Sequence, residues 1–107
     1  MDTRDIELQI ITLILADAFA AGYVVSVKDG HDWVLRESTD QDEILGVMFT
    51  SGHDVLSFKH PHTGFHGWVK LVYGNGDGSE VVADSSPALQ SLLDGATNLA
   101  DELAAVA

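Results

Sequence analysis

Apolar positions recur at helical spacing near both ends of the chain and alternate with polar ones in between. Ile6, Ile10, Leu13 and Ile14 mark one face of a first helix, predicted over about Thr3 to Ala21. Asp2 or Thr3 caps it, Asp5 and Glu7 suit its positive end, and Gly22 suits its C-terminal cap. Leu8, Ile11, Leu15 and Phe19 widen the apolar face beyond an ordinary amphipathic stripe. A helix this apolar is either central to the core or shared with a second copy, so a homodimer through helix 1 is expected.

Tyr23–Lys28 and His31–Arg36 flank Asp29-Gly30, and Asp-Gly supplies the positive φ angles of a tight turn. A two-residue loop places Val25 opposite Val34 and Ser26 opposite Trp33. Ser38-Thr39-Asp40-Gln41 reads as a capping box, with Ser38 the cap and Gln41 reaching back. The helix it opens presents Ile44, Leu45, Val47, Met48 and Phe49 to the core and ends at Gly52. Three strands follow as an antiparallel meander: Val55–His60, Gly67–Tyr73 and Ser79–Ala83. Ser86-Pro87 opens a last helix, in which Leu89, Leu92, Leu93, Ala96, Leu99, Ala100 and Leu103 share a face. The expected fold is therefore α+β, one domain over residues 1–107, in the order α-ββ-α-βββ-α. An antiparallel sheet carries the helices on one face.

Charge changes the picture of partners. Seventeen acids face five cations, a formal net charge of −12 on 107 residues. The cations Arg4, Lys28, Arg36, Lys59 and Lys70 all precede residue 71, and six acids follow it: Asp77, Glu80, Asp84, Asp94, Asp101 and Glu102. Such a chain repels nucleic acid and anionic membrane and attracts basic surfaces. With no cysteine, disulfides and thiolate metal sites are excluded, which fits a cytoplasmic protein. Ile10–Ala21 is too short and too interrupted to span a bilayer, and its acidic flank is unlike a signal peptide's.

Gly67-Trp68-Val69-Lys70-Leu71-Val72-Tyr73-Gly74-Asn75-Gly76, then Val81-Val82-Ala83-Asp84 and an acidic helix, resembles a type of small acidic protein of bacteriophages and mobile elements. The likeness covers the last 40 or so residues. Here Ser85-Ser86 stands where an aromatic residue often follows the Asp. The resemblance implies a phage or prophage origin and carries over no functional residues.

Candidate chemistry is sparse. His60, His62 and His66 around one turn are the best metal ligands available, yet a Pro-Gly turn displays polar residues for its own reasons. Asn75-Gly76-Asp77-Gly78-Ser79 alternates oxygen side chains as a calcium loop does, but Glu80 stands where the pattern needs the next glycine. Serines fall in no nucleophile elbow, so no enzyme is expected and no cofactor is required. Trp33 and Trp68 fall on strands, as core residues or as anchors for a partner.

The acids either keep the chain dispersed or fill a basic groove on another protein, as a nucleic-acid mimic does. The expected function is thus a non-enzymatic acidic interaction module. It binds a basic host protein, one that itself holds nucleic acid or serves in defence, through Asp77, Glu80, Asp84, Asp94, Asp101 and Glu102. The alternatives are a small metal-binding domain and a phage accessory or structural protein.

Overall fold

A computed structural model describes residues 3–29, 32–49, 52–74 and 81–106. In chain order its elements are α1 (Thr3–Ala20), β1 (Val24–Asp29), β2 (Asp32–Ser38), α2 (Gln41–Val47), β3 (His53–Lys59), β4 (His66–Val72), β5 (Val82–Ser85), a 3-10 turn (Pro87–Leu89) and α3 (Gln90–Val106). The α+β order α-ββ-α-βββ-α is the expected one.

The sheet runs β2-β1-β3-β4-β5, with every neighbouring pair antiparallel. Strands β2 and β3 both flank β1 and therefore run parallel to each other. Parallel strands need a crossover, and α2 supplies it. Among the described residues no helix is long and apolar enough to cross a membrane.

Alternation along the strands sorts the two faces. Val25 and Val27, Leu56 and Phe58, Val69 and Leu71 are buried on one side. Ile6, Ile10, Ile11, Ile14 and Leu15 of α1 close on that side, with Ile44 of α2 and Leu89, Leu93 and Ala96 near the C-terminus. Each of the larger side chains among them contributes roughly 1.5–3 kcal/mol on leaving water. Gly67 lets the 3-10 turn approach: a Cβ there would lie 2.8 Å from Leu89 Cδ1 and Cγ.

Helix α1 ends in a Schellman motif. Gly22 takes φ +91°, Tyr23 N donates to Ala18 O, and Gly22 N donates to Phe19 O, both at 3.0 Å. The start of α2 departs from expectation. Asp40, not Ser38, is the cap, and its Oδ1 accepts from Asp42 N and Glu43 N. Ser38 is buried one turn earlier, where its Oγ accepts from Asp40 N and donates to Glu43 Oε1. Glu43 therefore closes the box that Gln41 was expected to close. The helix stops at Val47, so Met48 and Phe49 are not helical; Phe49 sits at φ +67°, and its N–H is taken by Asp54 Oδ2 at 3.0 Å.

The β1–β2 register also differs from expectation. Asp29 pairs with Asp32, Lys28 with Trp33, Val27 with Leu35, and Val25 with Ser38. Two irregularities interrupt this ladder, and Glu37 takes φ +50° beside one of them. Trp33 faces Lys28 and not Ser26 because Asp29 itself pairs with Asp32, and the irregularities then carry Val25 on to Ser38. Strand β5 lies later than predicted, at Val82–Ser85; Ser79 and Glu80 fall outside the described residues.

Candidate functional site

The sheet face turned away from the helices collects four of the chain's five cations and both of its tryptophans. Register fixes the positions. One row across the sheet reads Trp33, Lys28, Val55, Lys70, Asp84, and the next reads Ser26, Ser57, Trp68. Lys59 pairs with Val24 and His66 in a third row. Trp33 is 41% exposed and Trp68 is 38% exposed. They stand on β2 and β4, three strand spacings apart, roughly 14 Å between backbones.

Trp33 is dressed by cations. Arg36 Cζ lies 5.2 Å and Lys28 Nζ 5.8 Å from its ring centroid. Such contacts add about 0.5–1 kcal/mol at exposed sites and hold an indole in place while it faces solvent. Four of the chain's five cations are thus on or beside this face; the fifth, Arg4, stacks 4.2 Å over Phe49 elsewhere.

Beside Trp33 the side chains of Ser26 and Ser57 are small, and a cleft of about 340 Å³ opens between Trp33 and His66. Ser26 and Ser57 lie at its base, Trp33 and Arg36 line it from β2, and Lys59 and His66 line it from the β3–β4 side. Ser57 Oγ lies 2.9 Å from His66 Nε2. Ser26 Oγ accepts from Glu37 N at 2.9 Å, and Lys59 Nζ meets Glu37 Oε1 at 3.2 Å. A serine–histidine contact is the first part of a nucleophile assembly, but Ser57 is only 5% exposed. Chemically the cleft offers hydrogen-bond donors and positive charge beside an aromatic wall.

The structure divides the six expected acids. Asp94, Asp101 and Glu102 are exposed on α3, on the helix side of the molecule. Asp84 is exposed on the opposite side, directly across from Lys70. Asp77 and Glu80, with the whole calcium-like stretch, lie outside the described residues. So three acids lie exposed along one helix, and the fourth described one faces a cation across the sheet.

The three histidines do not converge. His60 Nδ1 accepts from His62 N and Thr63 N at 3.2 Å each, which builds the turn, and its ring packs edge-on to Tyr23. His66 is committed to Ser57 on the sheet. Among the described residues no group of three His, Asp or Glu side chains is placed to hold a metal ion. The breadth of α1 is mostly core: Ile11 and Leu15 are fully buried. A shallow groove of about 410 Å³ remains along Leu8, Leu13 and Ala16 of α1 and Leu99 of α3.

A buried polar cluster closes one end of the helix side. Tyr73 Oη donates to Asp54 Oδ2 at 2.5 Å, and Gly74 N donates to Glu7 Oε2 at 2.8 Å. Asp54 Oδ1 is buried and accepts no hydrogen bond among the described residues. Burial pushes the Asp54 carboxyl above the usual carboxylate range, although the bonds from Tyr73 and Phe49 pull the other way. Burial also pushes the Tyr73 phenol up, helped by its bond to Asp54 and by the charge there. These groups hold β3, β4 and α1 together.

The residues of the open face that the expectations left out are Arg36, Lys59, Ser26 and Ser57. Their signal was alternation: His66, Trp68 and Lys70 share one side of β4 while Gly67, Val69 and Leu71 share the other. No family model matches the chain, and neither the curated proteins nor the solved structures contain a match.

Proposed function

We propose that the protein is a non-enzymatic binding module that works through the open face of its sheet. One observation carries this reading: in a chain of net charge −12, both tryptophans and four of the five cations gather on a single face that no other described element covers. Exposed tryptophans beside arginine are the residue types that dominate binding energy at interfaces. The partner's matching surface is acidic and carries flat or apolar groups to set against Trp33 and Trp68. The phage or prophage origin expected from the sequence implies a host protein as that partner.

The second reading keeps the expected basic partner and seats it on α3. Its support is that Asp94, Asp101 and Glu102 share the exposed side of a helix with no cation in it.

Two variants separate the readings. One carries Trp33→Ala and Trp68→Ala; the other carries Asp94→Asn, Asp101→Asn and Glu102→Gln. Both change exposed side chains, and circular dichroism checks that each folds. Each is immobilised and compared with the parent for what it retains from host extract, at low and high salt. The sheet reading expects the first variant to lose the parent's partner and the second to keep it. The reverse pattern, with binding that collapses as salt rises, establishes the α3 reading instead.

A further inference from the structure

We infer that the cleft between Trp33 and His66 receives one phosphate monoester group, borne on a flat ring that stacks along Trp33. The inference rests on reading the open face as the binding surface. Three features of the cleft point to this chemistry.

First, the donors outnumber what a carboxylate can use. Arg36 offers a planar fork from β2 and Lys59 an ammonium from β3, while His66 on β4, bonded to Ser57 Oγ through Nε2, adds its second ring nitrogen. A carboxylate has two oxygens in one plane. A phosphate monoester has three free oxygens in a tetrahedral fan, which suits donors arriving from separate strands.

Second, an anion already touches the site. The Glu37 carboxylate sits 3.2 Å from Lys59 Nζ. Its side chain is 60% exposed, and its backbone is held at φ +50° with its N–H on Ser26 Oγ. Glu37 therefore occupies the rim as an internal competitor, free to swing into solvent when a stronger anion arrives.

Third, size and charge narrow the ligand. About 340 Å³ is more than a lone phosphate fills, and Trp33 is the one aromatic side chain lining the cleft other than His66, so it is the wall on which a ring can stack. A net charge of −12 opposes a long polyanion such as a nucleic-acid strand far more than a single charged group. Arg36 and Lys59 supply local attraction for that one group.

The test titrates phenyl phosphate, inorganic phosphate and benzoate into the full chain and reads tryptophan fluorescence and calorimetric heat. Phenyl phosphate is expected to saturate below about 10 mM and to bind about tenfold tighter than benzoate. Arg36→Gln or Lys59→Gln should weaken it about tenfold, while Glu37→Gln should tighten it about threefold by removing the competitor. That gain is an effect no merely structural role for Glu37 produces. Equal binding of benzoate, no saturable binding, or a Glu37→Gln variant that binds no better each overturns the inference.

Once binding is seen, a phosphotyrosine peptide and a nucleoside monophosphate distinguish a protein-borne group from a free small molecule. The tryptophan variant keeps the two proposals apart. If phenyl phosphate fails while Trp33→Ala with Trp68→Ala still abolishes partner capture, the phosphate inference falls and the sheet reading stands.

Discussion

Gly67 offers the sharpest test of how the C-terminal segment docks on the sheet. A methyl group built at this position would stand 2.8 Å from two carbons of Leu89 and 3.0 Å from Ser86 Oγ. Neither neighbour can yield freely. Leu89 is fully buried, and Ser86 Oγ accepts from Trp68 N at 3.0 Å. Overpacking of this kind costs about 1–3 kcal/mol. Replacing glycine where its φ is ordinary returns about 0.4–1 kcal/mol through the unfolded chain. Gly67→Ala should therefore lose about 1–2 kcal/mol, or roughly 5–12 °C in Tm for a chain of this size. Urea unfolding of four proteins makes the test specific: parent, Gly67→Ala, Leu89→Ala and the double variant. Leu89→Ala alone should cost about 2–5 kcal/mol. With Leu89 gone the new methyl has room, so Gly67→Ala should cost almost nothing in that background. A coupling of about 1–2 kcal/mol is the expected signature. Equal costs in both backgrounds would falsify the packing argument.

Three further outcomes are expected. Asp40→Ala removes the cap of α2 and should cost about 1 kcal/mol, whereas Thr39→Ala, one residue earlier, should cost far less; urea midpoints decide. Tyr73 keeps its proton in the folded chain at pH values where the unfolded chain loses it, since its folded pKa is raised. Its stabilising contribution is intact below about pH 10 and lost above it, so Tyr73→Phe should flatten the alkaline fall in Tm. Asp54 is raised in the folded state as well, so its contribution is complete below about pH 4 and declines as pH rises through the folded value. Asp54→Asn should accordingly gain on the parent as pH rises above about pH 4, and a gap that moves the other way contradicts the burial argument.

Local signals carried most of the fold. Gly22 stopped α1 where a left-handed residue was needed, and alternation located β3 and β4 to within two residues. What failed was register. Asp-Gly marks a turn but does not fix the pairing beside it, and Asp29 itself pairs with Asp32. The irregularities in β2 have no signature in a period of two, because Val34, Arg36 and Glu37, which lie between the paired positions, include no glycine or proline. Ser86 shows a subtler limit: it stands at the predicted cap position, yet its hydroxyl serves the backbone of Trp68. The open face was hidden for a different reason. Its members come from four strands, and β1 meets β3 only through the α2 crossover, a pairing that no short-range pattern encodes. Conversely, the acids of the last third looked contiguous in sequence, but Asp84 projects from the open face of the sheet while α3 packs against the other face.

The irregular course of β2 has a consequence for how the molecule keeps company with its own kind. This strand forms one margin of the sheet, and Trp33 and Val34 lie exposed on it. A straight margin with such residues is a template on which a neighbour's strand can zip, the first step toward fibres. The breaks in its ladder and the left-handed Glu37 twist the margin out of plane and interrupt its row of free amides. The chain can thus leave indole surface facing outward without inviting strand-by-strand polymerisation.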